Sequence, residues 1–168
     1  MTTLVYLDNC VFLDFANPKR DKIFYILIEF FNFCSSCSKF CTTDFIWENE
    51  LKSIKQDYKE ILENFLIIDT TPEEFILEEP PPHIDLGEWS VYLAIQTKER
   101  NCCVLCNDKK ARDFFQRNNL LPCKHINPCV GGTLGILNFA EKHNFLPLSK
   151  TEIVEIMNEH GSWLPQVF

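Results

Sequence analysis

Four acids draw attention because of their neighbours in the 168-residue chain. Asp8 closes the apolar run "LVYLD", and Glu88 stands in "DLGE" ahead of an apolar helix. Asp108 follows the run "CCVLC" in "LCNDKKAR", and Glu50 lies beside Glu48 in "FIWENEL". Carboxylates without neighbouring histidines form a hard-oxygen donor set, which suits Mg²⁺ or Mn²⁺ and, through the open positions of such ions, phosphate groups. Two such ions about 3.5–4 Å apart stabilise the attacking and leaving oxygens of an in-line phosphodiester displacement. Each acid also has a plain structural reading. Asp8 and Asp108 are good helix N-caps, as is Asn107, and Asp85 with Glu88 three residues later forms the capping-box pattern. Chemistry requires that the fold gather these residues in one place.

The elements that must do so alternate along the chain. Apolar runs predict strands over 3–8, 39–43, 65–69 and 102–106, with a short one near 122–126. Helical patterns cover 10–16, 20–36, 45–63, 86–100, 108–118, 132–144 and 150–160. The connection "TTPEEFILEEPPPH" over 70–83 ends in three prolines that stop regular structure. Strands that read as continuous apolar runs, including "FLIID", are those buried on both faces. The expected fold is therefore α/β: a single domain over 1–168 built as a three-layer α/β/α sandwich with a mostly parallel central sheet. In such sheets ligands bind beyond the carboxyl ends of the strands, so Asp8 and Asp108 are expected on one edge. Glu88 shares a stripe with Tyr92 and Ile95 and so faces inward. In the helix predicted over 45–63, Trp47, Leu51, Ile54, Tyr58, Ile61 and Leu62 form the buried stripe. Glu50 borders that stripe and Glu48 lies slightly farther round, so Glu50 is the better inward candidate. An inward carboxylate must be paired, hydrogen-bonded or bound to metal.

Composition narrows the options. Hydrophobic residues make up 46% of the chain and 15 residues are Phe, which predicts a packed core. The net charge of −8 argues against a broad basic surface that grips nucleic acid by charge alone. It leaves room for a local basic patch, or for acids that bind metal which then binds phosphate. Nine cysteines, an odd number, with a strand-like run directly after Met1 in place of a signal peptide, predict a reducing cytoplasm. "CSSCSKFC" invites a metal reading. Zinc or an iron–sulfur cluster normally wants four ligands and a second knuckle, and "CCVLC" lies in a strand where alternate side chains face opposite ways. Free buried thiols acting as small hydrophobes are the better reading. No apolar run reaches membrane-spanning length, because "IFYILIEFFNFC" is interrupted by Glu29 and Asn32.

In order, the motifs "LVYLDNCVFLDFA", "DLGEWSVYLAIQ" (85–96), "LCNDKKAR" (105–112) and "GGTLGILNFAEKHNFLPLS" (131–149) cover most of the chain. This series resembles the PIN domain family, and most closely its bacterial and archaeal branch found as toxins of toxin–antitoxin pairs. The resemblance implies metal-site roles for Asp8, Glu50, Glu88 and Asp108 in a Mg²⁺- or Mn²⁺-dependent endoribonuclease. It further implies a homodimer and a small antitoxin protein that blocks the cleft. Lys109, Lys110 and Arg112 would then hold the RNA backbone; the plain alternative is a solvated helix face. The chain departs from the branch at Asn107, where a second Asp is frequent, and at Cys10, where a small hydroxyl or amide residue is usual. Glu48 and Glu50 both remain available for the second acid. Two rival readings stand beside this one. A non-catalytic PIN-like module would bind RNA or a protein without cutting, which the net charge and Asn107 favour. A cysteine metal protein would carry zinc or iron.

Overall fold

A computed structural model describes residues 2–118, 120 and 131–165. The elements are β1 (Thr3–Leu7), α1 (Asn9–Ala16), α2 (Asp21–Cys34), β2 (Ser38–Thr43), a π-helical turn (Ile46–Glu50), α3 (Gln56–Glu63), β3 (Leu66–Asp69), the short α4 (Glu74–Leu77), α5 (Leu86–Gln96), β4 (Cys102–Leu105), α6 (Lys109–Arg117), α7 (Gly132–Lys142) and α8 (Lys150–Glu159). The strands form one parallel sheet in the order β3-β2-β1-β4. Val5, Tyr6 and Leu7 of β1 are completely buried, as a central strand covered on both faces must be. One helical layer contains α1, α2 and α7, with α8 against α7; α5, joined by α4, packs over β2 in the other. The three-layer α/β/α architecture is therefore the expected one.

Aromatic rings fill the first layer. Phe30 meets Phe40 at 5.6 Å and Phe139 at 5.3 Å between centroids, and Phe31 meets Phe40 at 4.4 Å. The buried apolar residues form one continuous cluster. Each large ring so buried contributes on the order of 2–3 kcal/mol relative to exposure, enough to hold the strands' carboxyl ends in fixed register.

The strand order has one consequence for function. From β1 the chain builds outward through β2 to β3, and α5 then returns it to β4 on the far side of β1. The carboxyl ends of β1 and β4 therefore flank the point where the winding reverses, the usual ligand crevice of open α/β sheets. Asp8 follows one of these strands and Asp108 the other.

Two expectations need correction. The single helix predicted over 45–63 is broken into the π-helical turn and α3, with residues 51–55 outside both. The Leu51 N–H reaches back five residues to the Ile46 carbonyl at 3.1 Å, so the turn holds one residue more than an α-turn. The stripe survives the break, because Leu51, Ile54, Tyr58 and Leu62 are all buried. The second correction concerns β3, expected as a buried strand. It is the edge strand of the described sheet, paired on one side only, and Ile67 and Ile68 are 42% and 37% exposed. Within the 70–83 connection the structure also forms α4 before the prolines end it. The strand expected near 122–126 lies outside the described residues. Among the described residues no helix is long and apolar enough to cross a membrane.

Candidate functional site

Asp8 occupies the N-cap position of α1, but its side chain makes no capping hydrogen bond. Its backbone N–H donates to the Leu105 carbonyl at 3.0 Å, which ties the residue to the ends of β1 and β4. The carboxylate is only 3% exposed. Oδ2 accepts one weak hydrogen bond from the Cys10 thiol at 3.3 Å, and Oδ1 has no partner. Burial, followed by the charges of Asp85 and Glu50, raises the acid to about 7 against the hydrogen bonds from Cys10 and the Asn9 N–H.

Glu50 reaches the same place from β2 by way of the π-helical turn. Its carboxylate lies over Gly87: a Cβ on that glycine would come within 2.8 Å of Oε1 and 2.9 Å of Cδ. The glycine of "LGE" is thus a clearance for Glu50. Oε2 is buried without a partner. Burial, then Asp85 and Glu88, raise this acid to about 7. Glu48 is exposed to solvent. Of the two acids it is therefore Glu50 that is turned inward.

The first turn of α5 is fixed from two directions. A buried hydroxyl chain runs from Thr43 at the end of β2 to Ser90 (2.7 Å) and on to the Gly87 carbonyl (2.7 Å). The capping box closes as expected, with the Glu88 N–H donating to Asp85 Oδ1 at 2.8 Å and the Asp85 N–H to Glu88 Oε2 at 3.0 Å. Glu88 is 4% exposed, and burial raises it to about 8; its backbone hydrogen bond opposes the rise, while Asp8, Asp85 and Asp108 add to it. Asp108 is exposed and caps α6, accepting from the Ala111 N–H at 2.8 Å. Capping does not remove the acid from the cluster, because its charge still acts on Glu88.

Asp8, Glu50, Glu88 and Asp108 are linked through their charges, Asp8 with Glu50 and Glu88, and Glu88 with Asp108, and Asp85, which the sequence showed only as a cap, acts on the first three. Three buried side-chain polar atoms among the described residues lack a hydrogen-bond partner: Asp8 Oδ1, Glu50 Oε2 and Trp89 Nε1. Two of them are carboxylate oxygens of this cluster. Buried acceptors without donors, on acids that repel one another, form a donor set that a hard dication would satisfy. Among the described residues, no three His, Cys, Asp or Glu side chains are gathered tightly enough to hold a metal ion as they stand.

A neighbouring acid was missed in the sequence. Asp14 of α1 is buried, and its Oδ2 accepts from Asn107 Nδ2 at 2.7 Å and from the Thr133 hydroxyl at 2.6 Å, while Oδ1 accepts from the Ser162 hydroxyl. Asn107 Oδ1 in turn accepts from the Thr133 N–H at 2.9 Å. The amide at 107 thus joins α1 to the start of α7. An Asp there would lose the donor and set two carboxylates against each other. Cys10 bridges the two centres, donating to Asp8 and accepting from the Asn107 N–H at 3.4 Å.

The basic residues divide. Arg112 is folded back onto the Cys106 and Asn107 carbonyls and holds the turn between β4 and α6. Lys109 pairs with Asp113 at 2.8 Å, and Lys110 Nζ lies 3.3 Å from His83 Nδ1, both at the surface beside Asp108. The thiols of "CSSCSKFC" are dispersed: Cys34 ends α2, Cys37 is exposed in the following turn, and Cys41 is buried in β2. Cys123 and Cys129 lie outside the described residues. The site and fold together define an α/β/α domain with an acidic crevice at its switch point. Compared with family models, curated proteins and solved structures, the chain matches none.

Proposed function

We propose that the chain is a Mg²⁺- or Mn²⁺-dependent endoribonuclease of the PIN domain type that its sequence resembles. The observation that carries this reading is the pair of buried, unpartnered carboxylate oxygens, Asp8 Oδ1 and Glu50 Oε2, at the switch point of the sheet. Asp8, Glu50 and Glu88, with Asp108 at the rim, would hold the cation. The ion, when bound, would lower the pKa of a water and neutralise the phosphate to be cleaved. The residues of the chain do the rest. The sheet fixes Asp8 through its N–H bond to Leu105, and the capping box fixes Glu88. Glu50, held by contact with Gly87 and not by donors, is suited to take the proton from the attacking water. Lys109 and Lys110, exposed beside Asp108, offer charge to the RNA backbone. In this reading a small antitoxin protein covers the crevice and the working unit is a homodimer.

The test is cleavage of single-stranded RNAs with Mg²⁺ or Mn²⁺, comparing wild type with Asp8→Asn and with an EDTA control. The proposal expects cleavage by the wild type alone, abolished by EDTA. Equal cleavage by both proteins, or cleavage that persists in EDTA, refutes it.

A second reading has its own support. Asn107 is committed to Asp14, and among the described residues no three ligand side chains are drawn together, which favours a PIN-like module that binds RNA or a protein without cutting. RNA binding by a wild type that cleaves no RNA would select this second reading.

A further inference from the structure

The tail after α8 holds a tryptophan out of the protein. Trp163 is 97% exposed, yet the residues on either side of it are anchored. Gly161, at φ +101°, turns the chain out of the helix in a conformation that side chains rarely adopt. The Ser162 N–H then donates to the Met157 carbonyl at 3.1 Å, and its hydroxyl donates to Asp14. Leu164 is buried, and the Asn158 side chain bonds both its N–H and its C=O at 2.9 Å each. An exposed aromatic on a loose end needs no explanation. This indole is held in water by a backbone fixed before and after it.

Trp163 stands at the rim of a cavity of about 400 Å³. The cavity is walled by Cys10, Asp14, Asn17, Asn107, Asp108 and Lys109, so it opens directly beside the carboxylate crevice. Three donors meet the charge of Asp14, and its wall is therefore polar without being strongly repulsive. Asn17 offers an amide with both a donor and an acceptor, and Lys109 offers a cation. A flat ring with polar edges on an anionic backbone has the chemistry that matches an indole, an amide and a lysine. That description is a nucleobase of a single strand.

Charge sets the direction. From Glu60 to Thr97 the chain carries nine acids and no Lys or Arg, while the whole protein is only −8. This stretch contains α4 and the start of α5, so phosphates are repelled on that side and admitted on the side of α6 and the tail. The geometry points to Trp163 and its cavity as a stacking subsite for the base of a nucleotide flanking the scissile phosphate. The inference rests on the ribonuclease reading above.

The experiment uses the full chain and single-stranded RNA oligonucleotides with Mn²⁺, comparing wild type, Trp163→Ala and Trp163→Phe. Loss of one stacked base is worth roughly 5- to 100-fold. Trp163→Ala should raise KM by that factor with kcat changed less than about threefold, and Trp163→Phe should recover most of the loss. An abasic residue placed at one flanking position should weaken the wild type by the same factor and leave Trp163→Ala unaffected. An unchanged KM in Trp163→Ala overturns the subsite while the nuclease reading stands. A full abasic penalty that persists in Trp163→Ala also overturns it. If Trp163→Ala instead breaks a dimer without altering RNA affinity, the tail is a self-association surface and the inference fails. A wild type that neither binds nor cuts RNA overturns the subsite and the nuclease reading together.

Discussion

Asp8 and Asp14 lie in the one stretch "LDNCVFLD", each after a leucine, and both are buried. Their surroundings differ in one respect. Asp14 has a donor for each oxygen, from Asn107, Thr133 and Ser162. Asp8 has one side-chain donor, the Cys10 thiol on Oδ2, beside a weak contribution from the Asn9 N–H, and it has acids around it. Burial raises both, and hydrogen bonds oppose the rise at both; at Asp14 these are three side-chain donors and no neighbouring charge adds to burial, whereas at Asp8 the carboxylates of Asp85 and Glu50 add to it. A buried acid is therefore not a functional sign in itself. One whose acceptors are left open among like charges is left to lose its proton only at a raised pKa or to find a cation, and this is the feature on which the proposal for Asp8 rests.

The sharpest way to break the comparison is to neutralise each acid in turn. Asp8→Asn should lower metal-dependent RNA cleavage on the order of 10²-fold or more. Its melting temperature in EDTA should hold or rise, since a repulsive charge has been removed and Asn caps a helix well. A marked fall in that melting temperature would assign Asp8 a structural role. Asp14→Ala should do the reverse, leaving three donors without an acceptor at about 1–3 kcal/mol each. The expected loss is several kcal/mol, read as a lower midpoint in urea. A midpoint unchanged within error would end the structural account of Asp14.

Titration sharpens the contrast further. Without metal, Asp8 and Glu50 titrate at about 7 and Glu88 at about 8, well above their ordinary range. Between roughly pH 4 and 8 the unfolded chain gives up these protons first, so the native state binds more protons and its stability falls as pH rises through this window. The melting temperature in EDTA should drop by several degrees from pH 5 to pH 8.5. Saturating Mn²⁺ should remove most of the drop, and Asp8→Asn should blunt it. Asp14 shifts in the same direction, and so the part that Mn²⁺ and Asp8→Asn remove belongs to the cluster. A melting temperature that rises with pH would contradict the assignment.

The smallest expected effect comes from one methyl group. Gly87→Ala would press on the Glu50 carboxylate, which must swing away. Cleavage should fall roughly tenfold, the scale of about 1.4 kcal/mol in a barrier, while α5 gains slightly in propensity from losing a glycine. Cleavage at the wild-type rate by Gly87→Ala would remove Glu50 from the site.

Local pattern was enough to identify the apolar strands, the cap and inward stripe at Glu88, and the acids at the ends of β1 and β4. These features depend on period and on neighbours a few residues away, which a sequence displays directly. Other decisions belonged to the tertiary structure. Strand order put the β1 and β4 ends at a switch point, and it also left β3 on an edge with Ile67 and Ile68 in water. The extra residue of the π-helical turn directed Glu50 onto Gly87 while Glu48 stayed outside. Asp85, legible as a cap, joined the cluster only when α5 docked beside β2. Asp14, which reads like Asp8 in sequence, became structural through Asn107, Thr133 and Ser162, residues 93, 119 and 148 positions away. Whether a buried oxygen finds a donor is decided by such distant partners, and no local pattern contains them.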